Sequence, residues 1–280
     1  MSVFEETSLD AFRACYPDRP ASLRHRLSGH KLFAMERLVA LAAALPRDSV
    51  EYNAGDLPIG QDPAKTPMNG LSPEETVRRI AENNSWIVLK NVERDVDYAA
   101  LMNDCLDAIE PVARAATGSM HKREGFIFVS SPGSVTPFHM DPEHNILMQI
   151  AGTKTIHIFP AHADEIAGDA QHEAFHCAGG HRNLPYREEF ARLGEAVALA
   201  PGDAIYAPVK APHWVKAGPD VAVSFSVTWR SEASDAEAHL RRANGWLRAR
   251  GVTPLRPGAA PFRDRAAVLA ARAAERLARF

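Results

Sequence analysis

The sequence predicts a mainly β fold with helical flanks: a barrel or jelly roll over residues 125–230, a helical part before it (1–124) and a helical tail after it (231–280). Two textures carry this prediction. After Gly125 the apolar segments become short and alternating and are separated by Gly and Pro, the pattern of closely spaced strands. On either side, apolar residues recur at spacings of three and four, the period of an amphipathic helix. The composition agrees: 280 residues, 46% hydrophobic and 24% charged, have the balance of a globular chain able to bury a large core. No internal repeat or low-complexity segment divides the chain, which reads as a single domain over 1–280.

The elements follow in order. Ser28 is placed to cap a helix whose apolar positions are Leu32, Met35, Leu38, Val39, Ala42 and Leu45, ended by Pro46. The polar, proline-rich stretch Asp48–Gly70 reads as loop. Ser72-Pro73-Glu74-Glu75 opens a second helix, with Ser72 as cap, Pro73 at its first position and Glu75 closing a capping box. A strand follows at Trp86–Leu89 and a helix at Tyr98–Ile109. Strands are then expected at Phe126–Ser130, Phe138–Met140, Asn145–Ile150, Lys154–Phe159, Ala196–Leu199, Ala204–Ala207, His213–Lys216 and Val221–Trp229, interrupted by an insertion over 161–193. Ser234 and Glu237 form the next expected capping box, and Ala266–Phe280 the last helix, with Leu269, Ala273, Leu277 and Phe280 aligned on one face.

Several function classes drop out early. The formal net charge of −3 argues against a globally basic nucleic-acid binder, and the apolar runs are too short to span a bilayer. The acidic start lacks the basic region of a secretory signal, and Cys15, Cys105 and Cys177 imply no disulfide framework, so the expected location is cytoplasmic.

The chemistry concentrates in two stretches. In His139-Met140-Asp141, residues two apart on a strand aim an imidazole and a carboxylate at one point. The second stretch, Pro201-Gly202-Asp203 through Tyr206 and Pro208 to His213, offers a third ligand, because a jelly roll lays strands distant in sequence side by side. Two His and one carboxylate leave coordination positions open and are characteristic of non-haem Fe(II) oxygenases. Lys154 lies in an otherwise apolar strand, where an anion such as the far carboxylate of 2-oxoglutarate would offset the cost of burying its charge. Thr136 and Asn145 flank the same pocket and can hydrogen-bond a carboxylate.

The run Thr136-Pro137-Phe138-His139-Met140-Asp141, with Asn145, Gln149-Ile150, Gly152, Lys154 and Phe159-Pro160, resembles the JmjC-type 2-oxoglutarate oxygenases, as does the second stretch ending in His213. It looks most like the branch around the asparaginyl hydroxylase of hypoxia-inducible factor and its bacterial cupin-like relatives. The resemblance covers about Phe126–Trp229. It implies a double-stranded β-helix, Fe(II) on His139, Asp141 and His213, and 2-oxoglutarate on Lys154, Thr136 and Asn145, with O2 as co-substrate. It further implies hydroxylation of a C–H bond, with a protein or peptide side chain favoured over a small molecule, and a homodimer through the C-terminal helices. Ser226, Val227 and Thr228 stand where that hydroxylase has an asparagine, which leaves the contacts to the carboxylate nearest the metal open; His139 is paired with Asp141 where many histone demethylases of the family use Glu, and no zinc-type cysteine cluster accompanies the core, which favours hydroxylation over demethylation. The competing readings are a cupin-like metal or ligand sensor without turnover, and an RNA-modifying member of the superfamily suggested by the arginine-rich tail.

The remaining histidines receive plainer expectations. His144 is assigned to the surface or to a supporting role beside the metal ligands, and His157 to packing. His172, His176, Cys177 and His181 fit no standard zinc spacing and are expected in a substrate-facing lid, where Arg182 and Asn183 suit polar substrate contacts.

Overall fold

The computed structural model describes residues 2–177 and 182–277. The first block holds α1 (Glu6–Cys15), β1 (Ala21–Arg24), α2 (Met35–Ala44), β2 (Val50–Ala54), α3 (Pro73–Arg78), β3 (Ser85–Lys90) and α4 (Val96–Thr117). The second holds β4 (Met120–Ser130), β5 (Val135–His139), β6 (His144–Ala151), β7 (Lys154–Ile158), α5 (Asp169–His176), β8 (Glu195–Leu199), β9 (Asp203–Ala207), β10 (His213–Ala217) and β11 (Ala222–Ser231). Two helices close the chain, α6 (Glu232–Arg248) and α7 (Pro261–Leu277).

Strands β4 to β11 form the expected double-stranded β-helix. A four-stranded sheet in the order β5-β10-β7-β8 faces a larger sheet containing β9-β6-β11-β4, and all pairings are antiparallel. The larger sheet is extended to seven strands by β1 on one edge and β3-β2 on the other. Central β11 shows why the sheet is buried on both faces. Its apolar residues Val223, Phe225, Val227 and Trp229 join the main core beneath α1, α2 and α4. The alternate residues Ser224 and Ser226 turn inward and donate to Gln149 Oε1 and Asn145 Oδ1, both at 2.7 Å. A second cluster, including Leu147, Ile156, Leu199, Ile205 and Val215, fills the space between the sheets.

Gly152 makes the β6–β7 turn possible: its φ is +63°, and a Cβ there would lie 2.3 Å from the Val221 carbonyl oxygen. Before Gly125 the chain contributes, besides the strand expected at Trp86–Leu89 (β3), two strands that were not expected, β1 and β2, and the start of β4. β2 lies within the stretch read as loop and pairs with β3; β1 pairs with β9. Short edge strands take their stability from the partner, so their local signal is weak.

The capping expectations divide. Ser72 caps α3 by accepting from the Glu75 N–H. Ser28 caps nothing: a 3-10 turn at Lys31–Phe33, capped by the His30 ring, precedes α2. The box on α6 is Ser231–Ser234 rather than Ser234–Glu237, because β11 runs straight into the helix and the Glu237 carboxylate is taken by the buried Lys210 ammonium. Helix α4 continues through Pro111 to Thr117. Leu269, expected in a buried stripe of the last helix, is 66% exposed, and the stripe's last member, Phe280, lies outside the described residues.

Candidate metal centre and its pocket

His139 ends β5 and His213 begins β10, and the antiparallel register sets them directly opposite each other. Their ring centroids are 4.2 Å apart. Asp141 follows β5 and aims one oxygen between them, with Oδ2 3.7 Å from His139 Nε2 and 3.8 Å from His213 Nε2. The Nδ1 atom of each imidazole is held by a backbone carbonyl two residues earlier, His139 on Pro137 at 2.7 Å and His213 on Ala211 at 2.9 Å. Donation of Nδ1–H fixes the tautomer and leaves the Nε2 lone pairs pointing at the shared space.

One donor atom from each of the three residues lies within 4.8 Å of the others, and among the described residues this is the one such group of three or more. The set can close on an ion ~2.1 Å from each donor. Burial pushes the Asp141 carboxyl up, but His139, Arg182 and His213 together hold it below the usual carboxylate range. Burial, with a smaller contribution from His139, lowers His213 to about 4, so its imidazole is neutral and available as a ligand at neutral pH.

Behind the three side chains lies a pocket with about 380 Å³ of open space, lined also by Phe128, Thr136, Asn145, Leu147, Lys154 and Val215. The structure therefore brings together all six residues expected at the site. Lys154, 5% exposed, has the Phe128 ring 5.6 Å from Nζ and no ion-pair partner among the described residues. Burial alone lowers its ammonium to about 7. Asn145 Oδ1 accepts from Ser226, which leaves the amide N–H groups for the pocket.

The pocket opens into a wider cleft of about 1530 Å³, shared through Phe128, Thr136, His139 and Asp141. Trp86, Val88 and Phe126 form an apolar wall, and Glu51, Lys90, Arg182 and Asn183 supply polar groups. The wall belongs to β3 and β4, which the sequence reading expected as strands but did not place at the site, because only the sheet order brings them to the cleft. Arg182 and Asn183 stand in the cleft as expected, and Arg182 also reaches Asp141, which was not foreseen.

The other histidines are structural. His144 is neither on the surface nor beside the metal ligands: its ring is stacked on Trp229, with Nδ1 bonded to the Tyr206 hydroxyl and Nε2 to that of Ser231. Adjacent residues on a strand face opposite ways, so Asn145 points into the pocket and His144 away from it. His157 stacks flat on Trp214 at 3.9 Å, as packing predicts. His172 and His176 lie on α5, which packs under α6, and not in the cleft; His181 lies outside the described residues. Three arginines of the tail make ion pairs within the chain, Arg241 with Asp169, Arg248 with Glu173, and Arg256 with Asp164 and Asp169.

No helix among the described residues is long and apolar enough to cross a membrane. Comparison with known proteins agrees with the architecture. The chain is 25% identical over 181 residues to Jumonji C domain-containing protein 5 of Drosophila melanogaster, covering 60% of this chain and 39% of that one. It is 32% identical over 113 residues to the lysine-specific demethylase JMJ30 of Arabidopsis thaliana, covering 38% of this chain and 26% of that one. It thus spans well under half the length of these curated relatives. The structure of E. coli ycfD matches with a TM-score of 0.55 at 17% identity, over 92% of this chain and 63% of that one. E. coli YcfD solved as a ribosomal oxygenase with cobalt and 2-oxoglutarate matches with a TM-score of 0.52 at 16% identity, over 92% and 62%. Likeness at that identity is one of fold. The model of the cupin-like domain matches residues 48–235, about two thirds of the chain, and the protein therefore belongs to the cupin-like, Jumonji C-type domain family.

Proposed function

We propose that this protein is an Fe(II)- and 2-oxoglutarate-dependent dioxygenase that hydroxylates a C–H bond, acting on a protein or peptide side chain. One observation carries the reading: a two-His, one-carboxylate set opens onto a pocket whose far wall holds a buried lysine with no counter-ion among the described residues. An apolar pocket has little reason to keep an unpaired ammonium unless an anion enters it.

His139, Asp141 and His213 fit iron by donor type, orientation and open face, and would hold it. Lys154 would pair with the far carboxylate of 2-oxoglutarate, with Thr136 donating a hydroxyl and Asn145 an amide N–H. Iron with 2-oxoglutarate and O2 supplies oxidative decarboxylation to succinate and CO2, with the second oxygen atom inserted into the substrate C–H bond. The chain's contribution is positional. The two carbonyl-anchored imidazoles keep the donors preorganised, and the apolar pocket walls keep bulk water from the reacting centre.

The wide cleft outside, with its aromatic wall and charged rim, favours a side chain presented by a larger molecule. The names of the relatives point the same way: one is a lysine-specific demethylase and one a ribosomal oxygenase. An RNA substrate is less favoured, because three of the tail arginines that suggested it, Arg241, Arg248 and Arg256, pair with Asp169, Glu173 and Asp164. A sensor without turnover would bind metal and form no succinate. We further read residues 1–280 as a single catalytic domain, place it in the cytoplasm in keeping with its three free cysteines, and take a second copy as the cover for exposed Phe262 and Leu269 on the last helix. Sedimentation tests that dimer.

The decisive experiment adds Fe(II) to anaerobic apoprotein, then 2-oxoglutarate, and follows the visible charge-transfer band of the chelate. The band is expected in the parent, absent in His139→Ala, and shifted to far higher 2-oxoglutarate concentration in Lys154→Ala. Tight metal binding without a band would overturn the oxygenase reading.

A further inference from the structure

The insertion between β7 and β8 does more than line part of the cleft. Residues 182–184 lie along the outer edge of β5, next to the 55–59 loop, and pair with that strand through a single bridge. Met140 N–H donates to the Arg182 carbonyl at 3.1 Å, Leu184 N–H to the Phe138 carbonyl at 2.9 Å, and His139 and Asn183 form an isolated bridge. This pairing fixes the Arg182 backbone beside the strand that carries His139. Leu184 is buried against Phe138 and Met140 and holds the segment in register.

From that position the Arg182 guanidinium reaches Asp141 Oδ1 at 2.8 Å, while Oδ2, the other oxygen of the same carboxylate, faces the two imidazole nitrogens. The guanidinium is itself steadied by Glu143, 3.8 Å away, whose carboxylate is buried and also holds Arg230 at 2.8 Å. The two carboxylate oxygens therefore have separate partners.

Resting on the oxygenase reading above, we propose that Arg182 is the positioning residue for the metal-binding carboxylate: by taking Oδ1 it leaves Oδ2 alone to the metal and keeps Asp141 monodentate. The consequence is a matter of counting. A six-coordinate ion with two imidazoles and one carboxylate oxygen keeps three positions, two for the keto acid and one for O2. A carboxylate binding through both oxygens would close the third. The insertion thus helps assemble the metal centre as well as shaping the cleft. Arg182 is half-exposed at the mouth of the site, so a substrate that enters the cleft meets the residue that orients the ligand.

Co(II) titration of the anaerobic full-length protein tests this without turnover. The readouts are the dissociation constant and the visible d–d band shape, for the parent, R182Q, R182K, E143Q and H139A, with apoprotein melting temperatures alongside. R182Q is expected to weaken Co(II) binding by about 10- to 100-fold, the usual effect of losing a partner that orients a ligand. Its d–d band should also change as the carboxylate turns. R182K should recover part of both, because a lysine can hold Oδ1 but without the planar fork, and E143Q should fall between R182Q and the parent. Parental or tighter affinity with a parental band in R182Q would overturn the proposal, including where its melting temperature falls, since that outcome assigns Arg182 to holding the insertion alone. H139A separates the two readings: if it binds Co(II) like the parent, the metal centre itself is wrong; if it loses Co(II) while R182Q does not, only the role of Arg182 fails.

Discussion

Lys154 carries the sharpest prediction, because its function and its contribution to stability have opposite signs. Burial lowers its pKa from 10.5 to about 7. At 1.36 kcal/mol per unit, retaining this lysine costs the folded apoprotein about 5 kcal/mol below neutral pH. Between pH 7 and 10.5 the unfolded chain keeps a proton that the folded chain has released, so this cost shrinks as pH rises and is gone above 10.5. Lys154→Met keeps the length of the side chain and removes the charge. After about 1 kcal/mol of packing mismatch, a net gain of about 4 kcal/mol remains, or roughly 8–16 °C in melting temperature. The same substitution deprives a bound 2-oxoglutarate of its buried counter-charge, a loss of about 3–5 kcal/mol and more than a hundredfold in affinity. The assay is thermal unfolding of parent and variant at pH 6 and pH 10, with and without 2-oxoglutarate and Mn(II). The variant should be the more stable at pH 6, with a smaller advantage at pH 10, and should lose the ligand-induced shift. A variant less stable than the parent at pH 6, or one that 2-oxoglutarate still stabilises to the parental extent, would refute the reasoning.

Other perturbations have equally definite outcomes. Ser226→Ala removes the donor to Asn145 Oδ1 and lets the amide rotate, so the KM for 2-oxoglutarate should rise by up to about tenfold, measured as succinate release, with little change in the melting temperature. Gly152→Ala should destabilise by about 3 kcal/mol or more in urea titration, because a Cβ would overlap the Val221 carbonyl at a backbone angle that disfavours side chains. Acid stability turns on histidines buried in the neutral form. Burial lowers His144 to about 3 and, as the leading cause, His172 and His176 to about 4. The unfolded chain takes up these protons first, so stability should fall steeply as pH drops from 6.5 towards 4. His144→Gln should flatten part of that fall in equilibrium unfolding followed by circular dichroism.

The candidate metal site and most of its pocket were legible in the sequence because each signal was local. His139 and Asp141 sit two apart at a strand end, and Lys154 is conspicuous in an apolar run, whatever the rest of the chain does. The strands of the double-stranded β-helix were legible for the same reason, since alternation between two buried faces survives without knowledge of the partner. What was not legible depended on partners. The four residues of β1 hold only Leu23 as a large apolar side chain and become a strand because β9 offers an edge. The cap of α6 fell to Ser231 because β11 ends there, a boundary that neighbouring serines do not mark. His144 was misplaced although the signal was present: beginning β6 one residue earlier turns its ring to the face opposite Asn145. The Arg182–Asp141 contact links an irregular insertion to a strand end, and no periodicity or spacing encodes it.

The facing register of His139 and His213 has a consequence for the dynamics of the apoprotein. These residues start the pairing of β5 with β10, and among the described residues β5 is held on its other edge by loop segments, one at residues 55–59 and one at 182–184. An ion bridging the two imidazoles would act as a rivet through the mouth of the smaller sheet, joining strands whose closure otherwise depends on a long loop. Metal loading should therefore slow amide exchange along Val135–His139 and His213–Ala217 far more than along β11, which is locked between β4 and β6 with or without metal. In that view the centre is also a clasp, and metal-starved protein would fray first at the edge where substrate must enter.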